Sequence, residues 1–487
     1  MFGDYVFEKS SAQYTDKILL LDDENLNTRA NYISAFSAHG FEIVRYIDDI
    51  TFRIEYEEKL KTHGVKLAVI ARTEQYIPYD VQCRLSIYKV SLEKLFPKLH
   101  PTLLKDIDKM GLDLLCTAYS TNFDDLRQRQ DTEMFLRLKV YDRANVKAYL
   151  RKTSNELIER ARNASQYGDW FTIAEEKAQL DVMAVQYDID NNTQEINHLF
   201  QRYALSQFGK LSQNIDKDSP VLVSKAMDYM HDHSDKFIVI VMDGMSEFDW
   251  KIISSSFVGL PYEKASMFAM IPSTTSVSRQ CLLSGKYPSQ LLEPWKLSKE
   301  KTEFVNCAKD LGYSDTQIGY ERGYDVQFNF FIRCGAVIIN DVDDMVHAQT
   351  QGRLGMFNDI TVLANQKKLL EMTQRFLIAG YDVYITADHG NTTCTGLGKL
   401  MGTGVEVETK SRRMVVLKDF ANKAGLIEKY GLIDYPKYYL PKEYDYLLCD
   451  VGDSFDAKGD NVMTHGGITL DEVVVPFIKL KAVKKNG

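Results

Sequence analysis

Four short stretches of the sequence set carboxylates and imidazoles beside runs of apolar, strand-forming residues. Phe237-Ile238-Val239-Ile240-Val241-Met242 runs into Asp243-Gly244, and Val383-Tyr384-Ile385-Thr386 passes through Ala387 into Asp388-His389-Gly390. Ala336 to Asn340 leads to Asp343 and His347, four residues apart and therefore on one face of a helical turn. Thr464-His465-Gly466-Gly467 stands just before the apolar run Val473 to Leu480. Ligands of open α/β sheets gather at the carboxyl ends of the strands, so the acidic groups of the first two segments are expected to face one crevice. Asp243, Asp343, His347, Asp388, His389 and His465 then form a mixed carboxylate and imidazole set suited to Zn²⁺ or Mn²⁺. Two ions could share it, and a pair stabilises both the attacking and the leaving oxygen of an in-line displacement at phosphorus. Any one of these residues alone reads more simply as a cap or a loop hydrogen-bonding group. Six ligand types in four separate strand-flanking segments are what carry the metal reading.

A nucleophile is also needed, and Pro272-Ser273-Thr274-Thr275-Ser276-Val277-Ser278-Arg279 supplies hydroxyls ahead of the apolar Cys281 to Leu283. A hydroxyl at a helix N-terminus beside a divalent metal can lose its proton and attack, while backbone N–H groups hold phosphoryl oxygens. An ordinary Ser/Thr N-cap would look the same in isolation. Thr274 and Thr275 are both candidates. Arg279, about one helical turn after Thr275, is within reach of a substrate oxygen or is a structural arginine.

The elements that must position these residues can be read more coarsely. From Lys17 the chain alternates Ile18–Leu21, an amphipathic stretch from Leu26 to His39, Phe41–Tyr46, another helix-like stretch and Lys66–Ala71, a βαβα pattern that implies a parallel sheet. Asp22-Asp23-Glu24 after the first strand resembles the acidic start of a phosphoreceiver, but the third strand ends in Ala71-Arg72, with no acceptor carboxylate. From about Asp106 to Gln213 long amphipathic runs without proline read as helical. Asp216 to Pro220 makes a boundary before a second α/β region. The expected organisation is an N-terminal α/β accessory domain over 1–105, a helical connector over 106–215 and a catalytic domain over 216–487. At 487 residues the chain has room for two or three domains, and 45% hydrophobic with 26% charged residues excludes disorder and collagen-like structure. A net charge of −9 excludes a basic nucleic-acid coat as a whole, though not a local basic groove. Seven scattered cysteines without a Cys-x-x-Cys pair, a polar start and no apolar run approaching ~20 residues lead to the expectation of a reduced, cytoplasmic protein with no membrane span.

With these motifs in place, the region from Lys236 to Leu480 resembles the alkaline phosphatase superfamily, and within it the PglZ-domain branch found in BREX phage-defence systems and PorX-type regulators. The resemblance implies an α/β, alkaline-phosphatase-like C-terminal domain holding two divalent metal ions, zinc first and manganese second. It implies one metal on Asp343, His347 and His465, and the other on Asp243, Asp388, His389 and the nucleophile. Phosphodiesterase-like members read Pro-x-x-Thr with a Gly ten positions on, and Pro272, Thr275 and Gly285 meet both spacings, which selects Thr275. Sulfatases carry Cys or Ser there, then Pro two residues later; Thr275 and Val277 depart from that pattern. The mechanism implied is attack by Thr275 on phosphorus, a phosphothreonine-type intermediate and its hydrolysis. PorX-type regulators carry a working receiver, and the missing acceptor is where this chain departs from them.

For substrate, Arg412-Arg413, Lys429-Tyr430, Tyr435, Lys437-Tyr438-Tyr439, Lys442 and Tyr444 interleave basic and aromatic residues. That suits base stacking beside phosphate contacts, and equally a tyrosine-rich packed insertion. The leading expectation is a metal-dependent phosphodiesterase acting on a nucleotide or oligonucleotide. The alternatives are a phosphomonoesterase or mutase with the same metals, and a structural subunit that binds partner proteins of a defence complex.

Overall fold

A computed structural model describes residues 1–105, 107–120, 124–400, 412–418 and 420–482, and the chain divides into two compact units, Met1–Leu150 and Arg151–Gly487. In the first unit four strands pair in the order Glu42–Arg45, Leu67–Ala71, Lys17–Leu21, Ser86–Lys89, all parallel. The two inner strands read as nearly unbroken apolar runs because both faces of such a sheet are covered. Leu19, Val44, Leu67 and Val69 pack there with Phe52 and Leu60 of the helix Asp49–Lys61. The polar start of the chain folds as a helix, Phe2–Lys9, that buries Phe2, Val6 and Phe7. The helical stretch expected over 106–215 is shared between the units: Lys109–Ser120 and Arg129–Phe135 fall in the first, and the helices from Tyr167 to Gln207 in the second.

The second unit is built on six strands: β1 (Phe237–Met242), β2 (Glu263–Phe268), β3 (Ile318–Arg322), β4 (Cys334–Ile339), β5 (Asp382–Thr386) and β6 (Val474–Leu480). Its helices used below are α1 (Tyr167–Gln186), α2 (Gln194–Gln207), α3 (Glu247–Ile253), α4 (Thr275–Ser284), α5 (Asp341–Ala348) and α6 (Gly352–Gln366). The sheet order is β2-β6-β5-β1-β4-β3, with β5, β1, β4 and β3 parallel and β6 antiparallel to both of its neighbours. All six residues of β1 are buried, as an apolar run in a strand covered on both faces must be. This topology brings the carboxyl ends of β1, β4 and β5 and the amino end of β6 to one edge of the sheet. The carboxyl end of β2 joins them, since Phe268 pairs with Val474. The chain leaves β4 at this edge directly into α5, and a short buried stretch after β2 leads to α4. Gly285 ends α4 in the left-handed region, φ +68°, the usual conformation of a glycine that stops a helix.

Thr392–Gly396 lies between Asp453–Ser454 and Asn461–Thr464 in a three-stranded sheet, and the pairing of Thr392 with Thr464 delivers His465 to the loop after β5. Another three strands, Met414–Leu417, Asp445–Leu448 and Ile433–Asp434, carry their own core around Val415, Leu417, Leu447 and Phe455. Among the described residues no helix is long and apolar enough to cross a membrane, and all seven cysteines are free.

Candidate metal centre

The structure brings the six expected carboxylates and imidazoles into two groups, Asp343 with His347 and His465, and Asp243 with Asp388 and His389. In each group the candidate ligand atoms all lie within 4.8 Å of one another. In the first, Asp343 Oδ1 is 3.5 Å from His347 Nε2 and 3.4 Å from His465 Nε2, and the two imidazole nitrogens are 3.4 Å apart. In the second, His389 Nε2 is 3.6 Å from Asp243 Oδ1 and 3.9 Å from Asp388 Oδ2. The His389 and His465 rings stack at 4.0 Å between centroids, so the groups adjoin.

Three observations fit divalent cations to these residues. First, Asp243 Oδ1, Asp343 Oδ1 and Asp388 Oδ2 are buried without a hydrogen-bond partner among the described residues. A buried, uncompensated carboxylate oxygen is costly, and of the four among the described residues three belong to the two groups, Asp249 Oδ1 being the other. Second, His389 Nδ1 faces Gly390 O at 2.9 Å and His465 Nδ1 faces Ser273 O at 3.0 Å. A carbonyl accepts only, so Nδ1 carries the proton in both rings and each Nε2 presents a lone pair to its group. Third, carboxylates and neutral imidazoles together are the donor set that zinc and manganese take.

The electrostatics of the protein alone express the same crowding. Burial first, and Asp243 beside it second, push the Asp388 carboxyl up to about 7. Asp343 is raised by burial and by Asp243. Burial disfavours the charged form of His389, but Asp388, Asp243 and Asp343 outweigh it and raise that imidazole. Burial, with His389 next to it, holds His465 well below the ordinary histidine range. A bound cation would reverse the carboxylate shifts by favouring the ionised form.

Thr275 opens α4, and its Oγ1 lies 2.9 Å from His389 Nε2. Thr274 is the buried N-cap residue just before it, and its Oγ1 meets no partner among the described residues. Of the two threonines, Thr275 is the one set against the ligand groups. In the first turn of α4 the Val277 and Ser278 N–H groups bond to Thr274 O, so a cradle for anionic oxygens at this helix start would rest on the N–H groups of Thr275 and Ser276.

Arg279 was open to two readings, a substrate contact or a structural arginine, and the structure shows it on carboxylate partners. It is 1% exposed, and its guanidinium sits on Asp243 Oδ2 at 2.5 Å and Glu300 Oε2 at 2.6 Å rather than reaching a substrate oxygen. One turn beyond Thr275 points it beneath the site, where it fixes one oxygen of Asp243 and leaves the other to the ligand group. Glu300 in turn accepts from Tyr320 Oη at 2.6 Å and pairs with Arg322. The basic and aromatic stretch from Arg412 to Tyr444 also resolves mostly into packing. Arg413 is fully buried on Glu472, Arg412 pairs with Asp456, and Lys437 pairs with Asp445. The Tyr438 and Tyr439 hydroxyls donate to the carbonyls of Leu205 and Phe208, and Tyr435 is buried. Lys442 and Tyr444 border an open cavity of about 920 Å³ with Trp295 and Lys296.

Sequence reasoning missed Asn391 and Glu472 and the loop-tying role of Ser273. Ser273 Oγ donates to Gly467 O and accepts from Gly466 N–H, both at 3.0 Å, tying the His465 loop to the threonine loop. Asn391 Nδ2 donates to Gly244 O at 2.9 Å and to Asp249 Oδ2 at 2.6 Å, tying the loop after β5 to the loop after β1. Glu472 accepts from the N–H groups of Gly467 at 2.9 Å and Thr469 at 3.1 Å. Thr469-x-x-Glu472 is a capping-box pattern that the sequence displays. The other two carry no signal of spacing.

Residues 332–480 match the family model of the BREX system PglZ alkaline phosphatase-like domain. That stretch contains Asp343, His347, Asp388, His389 and His465, while Asp243 and Thr275 precede it. No curated protein matches the chain. Among solved structures the chain is similar to murine ectonucleotide pyrophosphatase / phosphodiesterase 5, an inactive variant in complex with AMP, at 12% identity and a TM-score of 0.37 over 50% of this chain and 88% of that one. It is also similar to the human protein of that name, at 14% identity and 0.34 over 51% and 90%. Phosphonoacetate hydrolase from Sinorhizobium meliloti, in complex with phosphonoformate, matches at 10% identity and 0.33 over 52% and 91%.

Proposed function

We propose that this chain, whose residues 332–480 form a PglZ-type alkaline-phosphatase-like domain, is a metal-dependent phosphodiesterase that cleaves nucleotide or oligonucleotide esters through Thr275. The observation that carries the reading is the placement of Thr275 Oγ1, at the N-terminus of α4 and 2.9 Å from His389 Nε2, against two groups of potential metal ligands. Asp343, His347 and His465 would hold one divalent ion, and Asp243, Asp388 and His389 with Thr275 a second. Zinc is the first choice and manganese the second. Such ions, when bound, neutralise charge developing on phosphoryl oxygens and favour the ionised form of a nearby hydroxyl. The chain's own residues do the rest. His389 and His465 are held in the tautomer that exposes Nε2, Arg279 fixes Asp243, and the N–H groups of Thr275 and Ser276 at the start of α4 would meet the phosphoryl oxygens. Thr275 Oγ1, once deprotonated, attacks phosphorus and the alkoxide of one ester arm leaves and takes up a proton. Water then hydrolyses the phosphothreonine ester and restores the hydroxyl.

A diester is favoured over a monoester because Arg279 is engaged by Asp243 and Glu300 and offers no charge to the second negative charge of a monoester dianion. The reading extends to a role in phage defence, in the cytoplasm and alongside defence-complex proteins, and the match of residues 332–480 to a BREX-system domain model supports it. The test compares kcat/KM for bis(p-nitrophenyl) phosphate and p-nitrophenyl phosphate with Zn²⁺ or Mn²⁺. The diester should be preferred, and chelation should abolish both reactions. Preference for the monoester would turn the reading to a phosphomonoesterase or mutase. No turnover by folded, metal-loaded protein would turn it to a partner-binding subunit.

A further inference from the structure

One buried charge cluster lies behind the segments that carry the candidate ligands. Lys177 on α1 is buried and donates to Asp181 Oδ2 at 2.7 Å and to both oxygens of Asp471 at 2.7 and 2.9 Å. Arg353, in the first turn of α6, reaches the same two carboxylates at 3.2 Å each. Asn197 on α2 donates to Asp471 Oδ2 at 3.0 Å and accepts from Leu470 N–H at 3.1 Å. Asp471 closes the loop that begins at His465, and its backbone rests on the neighbour of the other buried imidazole. Gly390 N–H donates to Glu472 O at 2.8 Å, and a Cβ added at Gly390 would stand 2.1 Å from Asp471 O. Only a glycine next to His389 allows this approach. The His465 loop and the His389 loop are therefore in backbone contact at the point that Lys177 and Arg353 hold. Asn391 extends the connection to the loop after Asp243, and α6, which carries Arg353, follows the Asp343 and His347 helix by a short turn.

Burying two cations and two carboxylates is a poor way to stabilise helix packing, since apolar residues of similar volume commonly serve a core as well or better. Ligand loops, by contrast, must be held to within about 0.5 Å of the productive geometry by groups outside the ligand set. We propose that Lys177 is a positioning residue for the metal centre: through Asp471 it fixes the separation of the His465 and His389 loops, which makes α1 part of that centre. The proposal rests on reading the two groups as metal sites.

The test uses the full chain. Zinc affinity is measured by competition with a chromogenic chelator for wild type, Lys177→Met, Lys177→Arg and Lys423→Met, whose partners Asp434 and Asp445 lie in a separate small sheet. Amide hydrogen exchange over 465–472 is followed in the metal-free proteins. Lys177→Met should bind zinc about 10- to 100-fold more weakly, the usual range for a lost outer partner of a ligand, and should exchange faster over 465–472. Lys177→Arg should recover most of the affinity, and Lys423→Met should match wild type. Folded Lys177→Met with wild-type zinc affinity and exchange would overturn the proposal. Should Lys177→Met fail to fold, the double variant Lys177→Met, Asp471→Asn, which removes one charge of each sign, takes its place. Weakened zinc binding there supports the proposal and unchanged binding overturns it. Binding curves decide this inference and diester hydrolysis decides the function, so zinc binding without hydrolysis in wild type would refute the function alone.

Discussion

Each unit of the molecule sets carboxylates just after a buried apolar strand, and the two use them in opposite ways. In the first unit Asp22, Asp23 and Glu24 follow Lys17–Leu21, and each accepts hydrogen bonds from within that unit. Asp22 accepts from the N–H groups of Leu26 and Asn27 at 2.8 Å each. Asp23 accepts from Thr73 N–H at 2.8 Å and Thr73 Oγ1 at 2.7 Å and pairs with Lys89, while Glu24 accepts from Leu92 N–H at 3.3 Å. In the second unit Asp243, Asp343 and Asp388 each keep a buried oxygen without a hydrogen-bond partner among the described residues. The titration follows the partners. Hydrogen bonds from the Thr73 backbone and hydroxyl hold Asp23 below the usual carboxylate range, whereas burial and Asp243 push Asp388 up to about 7. An acidic residue at a strand end is thus a weak sign of a metal site until its donors are counted. What marks the site is a cluster of such free acceptors beside imidazoles, since Asp249 Oδ1 is also left free but belongs to neither group.

The contrast is sharpest in activity. Asp388→Asn removes one charge from the ligand set and should lower kcat/KM for bis(p-nitrophenyl) phosphate on the order of 10³-fold, while Asp23→Asn should stay within about twofold, because only the former touches charge stabilisation at the reacting phosphorus. Equal losses in the two variants would erase the distinction. Metal affinity should depend on pH in the same sense. Asp388, raised to about 7, holds a proton below that pH, and a cation must displace it. Zinc affinity by chelator competition should therefore fall on acidification through pH 7, by up to about tenfold per unit for each proton displaced, and His389, which is also raised, adds to the fall. Affinity that rises on acidification would contradict the assignment. Removing metal should cost stability in the second unit alone. At a free zinc concentration about 100 times Kd the gain is ~2.7 kcal/mol, seen as a melting shift that Asp388→Asn should diminish and Asp22→Asn should leave in place. The smallest effect belongs to the first unit: Asp22→Ala removes the acceptor at the start of the helix Leu26–Ala30 and should cost about 1 kcal/mol by denaturant unfolding, with zinc binding unchanged.

The clustering of the candidate ligand set was legible because its signals are local. Apolar runs such as Phe237–Met242 announce buried strands, open sheets gather ligands at strand ends, and the spacing of Asp343 and His347 places both on one face of α5. The edge strands were less visible, since Glu263–Phe268 and Ile318–Arg322 are only partly buried and mix charged with apolar residues. What remained hidden depends on pairs far apart in the chain. The sequence left Arg279 open between a substrate contact and a structural arginine because Glu300 is 21 residues away, and Arg413 open between a phosphate contact and packing because Glu472 is 59 residues away. The helix Phe2–Lys9 was hidden for a related reason: its buried Phe2, Val6 and Phe7 stand among charges that composition reads as a polar start. Long polar side chains declare their residue type in the sequence and their partner only in the fold.

The central claim is that the two ligand groups each hold a divalent ion. The most direct measurement is the zinc content per chain after equilibrium dialysis of wild type, His347→Ala and Asp388→Asn, with folding checked by circular dichroism. Two ions in wild type and one in each variant are expected. Two ions in both variants, or none in folded wild type, would contradict the account.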